Sequence, residues 1–272
     1  MGYNIYIMYE ELLKPAETEE SAVKRLIDVI TVLRNPGGCP WDREQTHDSL
    51  KKPMIEEAYE VIQAIENKDD ANLREELGDV LLQVVFHANI AREEGRFNMA
   101  DIANEECEKM IRRHPHVFGD VENNLTSKQV LSNWEDIKKL EKKNKSQTES
   151  MESIPRGLPA LYRADKVQAK AAKVGFDWDD VSGAYEKVKE ELLEVQDAKK
   201  NLTQDKVAEE VGDLLFAAVN VARMLEVDPE EALNATSEKF IRRFAYVEKN
   251  MKDGMSLEEL DALWNEAKKQ GL

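Results

Sequence analysis

Apolar residues recur along this chain with the period of a helix, and no segment shows the alternation of a strand. Val23, Leu26, Ile27, Ile30 and Leu33 follow the i, i+3, i+4, i+7 rule. Pro36-Gly37-Gly38 and Pro40 then break the chain. Ile55, Ala58, Ile62 and Ile65 mark one face of a helix expected over Met54 to Ile65, followed by a polar turn at Asn67 to Asp70. Further helices are expected over Leu73–Arg92, Met99–Arg113 (closed by Pro115) and Asn133–Lys143. The second half repeats the plan over Leu161–Val174, Gly183–Lys199, Asp205–Leu225, Pro229–Met251 and Leu257–Lys269. Two of these starts carry explicit signals: Asp228-Pro229, and Ser256 with Glu259 three residues on. The fold class expected is all-α.

Between the halves, residues 141–153 are charged and Ser-rich and read as a flexible linker, which Pro155 and Gly157 extend to 158, with Pro159 next. The landmarks on either side match in order. Trp41-Asp42 is answered by Trp178-Asp179, Lys109-Met-Ile-Arg112-Arg113 by Lys239-Phe-Ile-Arg242-Arg243, and Trp134 by Trp264. A duplicated helical-bundle domain follows, with an N-terminal extension over 1–20, a first domain over 21–140 and a second over 159–272.

The most telling repeat is acidic. Glu56-Glu57-Ala58-Tyr59-Glu60 precedes Glu75-Glu76-Leu77-Gly78-Asp79, and Glu190-Glu191-Leu192-Leu193-Glu194 precedes Glu209-Glu210-Val211-Gly212-Asp213; Glu60 to Glu76 and Glu194 to Glu210 are each 16 residues. Surface helices are often rich in Glu, and a lone Glu-Glu-x-x-Glu is best read as a solvated face. Here each i, i+3 pair places like charges on one helix face, which costs a few tenths of a kcal/mol unless a cation lies between them. The segment after Glu210 is apolar on nearly all sides and is expected to be buried, where unpaired carboxylates are expensive. Hard oxygen donors without His or Cys neighbours suit Mg²⁺, which completes its shell with water and phosphate oxygens.

Net charge narrows the partners. At −17 the chain opposes nucleic-acid polymers and anionic membranes through its overall field, but not a small anion gripped locally. Cys39 and Cys107 form neither a disulfide framework nor a zinc motif. Met1 to Tyr9 does not read as a secretory signal, and no apolar stretch is long enough to span a bilayer, so a cytoplasmic protein is expected. There is no Gly-x-x-x-x-Gly-Lys-Ser/Thr loop and no Gly-x-Gly-x-x-Gly. His114 and His116 read as structural or surface residues.

Taken together, the acidic pairs resemble the signature of the MazG family of nucleoside triphosphate pyrophosphohydrolases. Cys39-Pro40-Trp41-Asp42, Arg113-His114-Pro115-His116-Val117-Phe118-Gly119 and Val174-Gly175-Phe176-Asp177-Trp178 look like further marks of its two-domain bacterial members. The resemblance runs from about Leu26 to Gln270. It implies tandem all-α MazG-like domains, a homodimer, dependence on Mg²⁺, and hydrolysis of NTPs and dNTPs at the α-phosphorus to NMP and pyrophosphate. Carried over, it makes Glu191, Glu194, Glu210 and Asp213 metal ligands, matched in the first half by Glu57, Glu60, Glu76 and Asp79. It makes Lys187, Lys189, Lys206, Glu209, Lys239, Arg242, Arg243 and Trp264 substrate contacts. The residue types agree: the cations can grip a triphosphate, and Trp264 either stacks on a base or anchors its helix. Glu190 and Glu191 are alternatives for orienting or deprotonating the water. Being about 100° apart on a helix, they are not expected to face one metal together.

The halves differ in their cations. Pro53 stands opposite Lys187, Ile55 opposite Lys189, and Asn72 opposite Lys206. The second half is therefore expected to be the main catalytic site. The competing readings are a pyrophosphohydrolase restricted to one modified nucleotide, and a non-catalytic module that binds metal and nucleotide without turnover.

Overall fold

In the computed structural model, the described residues are 10–119, 125–141 and 146–272. They contain helices and no strand. The chain divides into two compact units, Met1–Lys138 and Lys139–Leu272. Residues 1–9 of the expected N-terminal extension and residues 142–145 of the expected linker lie outside the described set.

The first unit is organised around four helices: α1 (Glu19–Arg34), α3 (Lys51–Asn67), α4 (Asp70–Glu93) and α5 (Met99–Arg113). Short helices α2 (Pro40–Glu44) and α6 (Pro115–Phe118) begin at the prolines that the sequence shows as breaks, because proline suits the first turn of a helix. Local chemistry sets the boundaries. Thr18 and Ser21 form a capping box for α1. Lys68 adopts a left-handed conformation (φ 55°) that ends α3, and Asp69 then caps α4 by accepting from Ala71 and Asn72 N–H. This two-residue connection folds α3 back along α4. The core is Ile30, Leu50, Val85, Phe86 and Ile90, flanked by Leu26, Ile27, Leu33, Leu81 and Leu82. Arg34 closes it: its guanidinium forms a fork on Glu93 (2.9 and 2.8 Å) and donates to the Asp42 and Gln45 carbonyls at 2.5 and 3.1 Å. That arrangement ties the Cys39-Pro-Trp-Asp segment to the helices.

The final helix of the first landmark set, α7 (Ser127–Glu141), begins six residues earlier than the sequence suggests. The second unit holds α8 (Gln147–Glu152), α9 (Ala160–Ala172), α10 (Val181–Asn201), α11 (Gln204–Met224), α12 (Pro229–Asn250) and α13 (Leu257–Lys269). The caps at Asp228 and Ser256 form as the sequence signals them. Gly183 lies where a Cβ would come within 2.0 Å of Trp178 Cδ1, so this position lets the Trp178 indole lie on the start of α10. Arg223 bonds Asp177 at 2.6 Å and fastens the same loop to α11.

The stretch read as a flexible linker is partly built into the second unit. A capping box of Ser146 and Glu149 starts α8. The Gln147 amide donates to the Lys170 carbonyl, Lys170 Nζ reaches Ser150 Oγ at 2.5 Å, and Ile154 is buried. One apolar anchor and polar side chains bonded to α9 suffice here, although the composition alone resembles a linker.

Candidate metal centres

Helix pairs α3/α4 and α10/α11 carry the two acidic repeats at matching positions. In the first unit, Glu57 and Glu60 on α3 and Glu76 on α4 bring carboxylate oxygens within 4.8 Å of one another. Asp79 is outside that triad, yet its charge acts on Glu57. Partial burial, then Asp79, then a hydrogen bond with Glu60 raise the Glu57 carboxyl above its ordinary value. Burial and then Glu60 do the same to Glu76. Such crowding of acids favours protons or a cation between them.

In the second unit two triads overlap: Glu190, Glu191 and Glu194 form one, and Glu191, Glu210 and Asp213 the other. Glu191 is common to both and is only 4 % exposed. Its Oε1 receives Lys187 Nζ at 2.5 Å, while its Oε2 is buried without a hydrogen-bond partner. A buried, unsatisfied carboxylate oxygen among further carboxylates is a group that a hard cation would satisfy. Mg²⁺ therefore fits the donor set. Desolvation and then Glu191 raise the Glu194 carboxyl. Glu190 does share a triad with Glu191, against the expectation from helical angle. Its exposed side chain bends toward Lys187, 2.8 Å away, but it does not join the Glu210/Asp213 group.

The expected substrate contacts are dispersed. Hydrogen bonds to Glu190 and Glu191 hold the Lys187 ammonium well above its ordinary value. Lys206 pairs with Glu209 at 2.5 Å, and that bond likewise raises it. Lys189 turns to Glu186 instead (2.7 Å). Lys239, Arg242 and Arg243 lie on α12, but Arg243 donates to the Leu272 carbonyl at 2.7 Å and covers the Trp264 ring at 5.7 Å. Phe240 packs against the same indole, with centroids 4.9 Å apart. Trp264 thus anchors α13 on α12. The first unit repeats the contact, with Arg113 over Trp134 at 5.2 Å.

One expectation fails. The segment after Glu210 is not buried on all sides. Ala217, Val219 and Asn220 are buried, whereas Val211, Leu215 and Phe216 are exposed, as are Leu192 and Leu193 on α10. The two-helix pair covers one face of α11 and α9 part of another, which leaves an open apolar face. In the first unit Ile55, Tyr59, Ile62 and Leu77 are exposed in the same way.

Missed by the sequence reading was the pair His47 and His87. Their Nδ1 atoms are 2.7 Å apart with the rings stacked, and Arg96 donates to His47 Nε2 at 2.5 Å. Their separation of 40 residues leaves no local signal.

The profile of the MazG nucleotide pyrophosphohydrolase domain matches twice, at residues 45–118 and 182–247, and so spans both acidic helix pairs. A nucleoside triphosphate pyrophosphohydrolase/pyrophosphatase MazG of Thermotoga maritima is 50 % identical over 251 residues, covering 90 % of this chain and 95 % of the relative. A nucleoside triphosphate pyrophosphohydrolase of Escherichia coli K12 is 45 % identical over 259 residues, covering 91 % and 97 %. The uncharacterized protein YabN of Bacillus subtilis is 52 % identical over 247 residues, which are 88 % of this chain and half of that longer protein. With two domain matches on the two acidic helix pairs and the Thermotoga and Escherichia relatives aligned nearly end to end, the chain belongs to the MazG family.

Proposed function

We propose that this protein is a Mg²⁺-dependent nucleoside triphosphate pyrophosphohydrolase whose main site is the Glu191, Glu194, Glu210 and Asp213 cluster. The observation that carries this reading is the buried Glu191 carboxylate, shared by two acidic triads and left with an unpartnered oxygen. The names of the Thermotoga and Escherichia relatives support the substrate class.

In this reading the four carboxylates hold the ion, and bound Mg²⁺ neutralises phosphate charge and favours attack by water. The chain's own groups do the rest. Lys206, Lys239 and Arg242 are the cations assigned to the triphosphate, while Arg243 and Trp264 hold α13 on α12. Glu190, exposed at the rim of the first triad, accepts the proton of the attacking water. Water adds to the α-phosphorus, the α–β bridging P–O bond breaks, and pyrophosphate leaves with NMP as the other product. Glu209 keeps Lys206 oriented until phosphate replaces it.

The first site retains its acids and lacks the lysines, so it binds metal with little or no turnover. A homodimer is part of the same proposal: the exposed apolar faces of α3/α4 and α10/α11 are the surfaces a second copy would cover. No helix among the described residues is long and apolar enough to cross a membrane.

Ion-exchange separation of products from NTPs and dNTPs with Mg²⁺ tests the reaction. NMP and pyrophosphate are expected from the wild type, with loss in Glu191→Ala and Asp213→Ala. Release of NDP and phosphate would reject attack at the α-phosphorus. Absence of all turnover would favour the binding-module reading. Sedimentation equilibrium tests the dimer.

A further inference from the structure

Lys187 stands one helical turn before two acids and touches both. Its Nζ lies 2.8 Å from Glu190 Oε1 and 2.5 Å from Glu191 Oε1. The contact on Glu191 leaves the other oxygen, Oε2, buried and unpartnered. Glu191 is also the residue through which the two triads meet. One oxygen is thus tied to a fixed ammonium, while the other keeps its lone pairs for a ligand. Groups that hydrogen-bond a metal-ligating carboxylate fix its orientation, and their loss typically weakens metal binding 10- to 100-fold.

The first unit lacks this device. Pro53 stands four residues before Glu57, as Lys187 stands four before Glu191, and has no donor to offer. The groups that act on Glu57 are acids, Asp79, Glu60 and Glu76, with no cation among them.

We propose that Lys187 is a positioning residue of the second metal centre: it holds Glu191 by Oε1 so that Oε2 faces the ion, and it keeps Glu190 at the rim. This rests on the reading of the triads as a Mg²⁺ site. It is separable from a role as phosphate grip, because it acts on Mg²⁺ binding with no nucleotide present. It also predicts a sign. An ammonium repels a nearby cation, so removing its charge alone would tighten Mg²⁺ binding. Removing a positioning contact weakens it.

The experiment is calorimetric titration of Mg²⁺ into the full chain without nucleotide, in an E57Q/E60Q background that silences the first site. Lys187→Met is expected to weaken binding about tenfold. Lys187→Arg, which keeps donors for both acids, is expected to remain within about threefold of the parent, given the wider range for lost contacts. Binding by K187M as tight as the parent, or tighter, would overturn the proposal. Circular dichroism monitors the fold; if K187M loses helix, K187Q replaces it with the same expected weakening and the same overturning result. Glu191→Gln in the same background separates the two levels of the argument: unchanged Mg²⁺ binding there would sink the metal site itself.

Discussion

The two acidic helix pairs carry the same carboxylates at the same spacing in different electrostatic surroundings. Around Glu57, Glu60 and Glu76 the nearest charges are other acids, and Glu57 and Glu76 are raised by burial and by one another's neighbours. Around Glu191 a lysine occupies one oxygen and a second lysine sits across the pair on Glu209. Duplication has preserved the acids and their spacing in both units, but the second groups them in two triads that share Glu191 and adds lysines at positions 187, 189 and 206, where the first has Pro53, Ile55 and Asn72. Under the proposed function, the acids of either unit would hold a cation, and the basic residues around them would decide whether a triphosphate is held there.

The sharpest way to break this comparison is to neutralise one ligand at a time. Glu191→Gln should reduce pyrophosphate release on the order of 10³-fold, since metal stabilisation of phosphate charge contributes several kcal/mol to the barrier. Glu57→Gln should leave most of the activity. Steady-state assays of the two variants side by side check this, and equal losses would end the assignment of the second site as the main one.

A smaller effect separates the loop anchors. Arg34 is 5 % exposed and serves Glu93 and two carbonyls, whereas Arg223 in the second unit reaches Asp177 and Asn220. Arg34→Met should destabilise its unit by about 2 kcal/mol, below the usual cost of breaking a buried pair because Glu93 is 41 % exposed. Arg223→Met should cost less, as the Asp177 loop has fewer bonds to lose. Urea titration of each variant gives the difference.

Acidity should also distinguish the units, because the described part of the second has no histidine. Arg96 donates to His47 Nε2, and the Nδ1 atoms of His47 and His87 share one hydrogen bond. Burial, and then His47, lower the His87 pKa from 6.5. The unfolded chain therefore takes up the proton first on acidification. The stabilisation is complete above about pH 6.5 and is lost as pH falls toward the lowered folded-state value. The thermal midpoint of the first unit should drop across this interval, and His87→Asn should flatten the dependence. A drop of the same size in His87→Asn would show that His87 is not its source; the raised carboxyls of Glu57 and Glu76 act in the opposite direction, since the folded state protonates them first.

The smallest contrast is between the Arg113–Trp134 and Arg243–Trp264 contacts. Double-mutant cycles should return about 0.5–1 kcal/mol for each, the range of a partly exposed cation–π pair. A stabilising coupling at Trp264 together with unchanged KM in Trp264→Leu would assign that residue to packing. A large rise in KM would restore base stacking as its role.

Much of this architecture is legible in the chain. Periodicity in Val23–Leu33 and Ile55–Ile65, and the signals at Asp228-Pro229 and Ser256/Glu259, are local, and local chemistry determines helix existence and ends. The Ser146-x-x-Glu149 box was present in the same form, but a polar composition hid the short helix it starts. The acids were legible because duplication repeats them at one spacing.

The sequence by itself determined the long helices, the duplication and which acids recur in both halves, since each depends on residues a few positions apart or on self-similarity. Only the tertiary structure decided that Glu191 is the shared, buried carboxylate and that Lys187 takes one of its oxygens. It also decided that Arg243 and Trp264 bind each other, that His47 meets His87, and that one face of α11 stays open. Burial and side-chain pairing depend on which faces of separate helices meet, and helical periodicity specifies a face without specifying its partner.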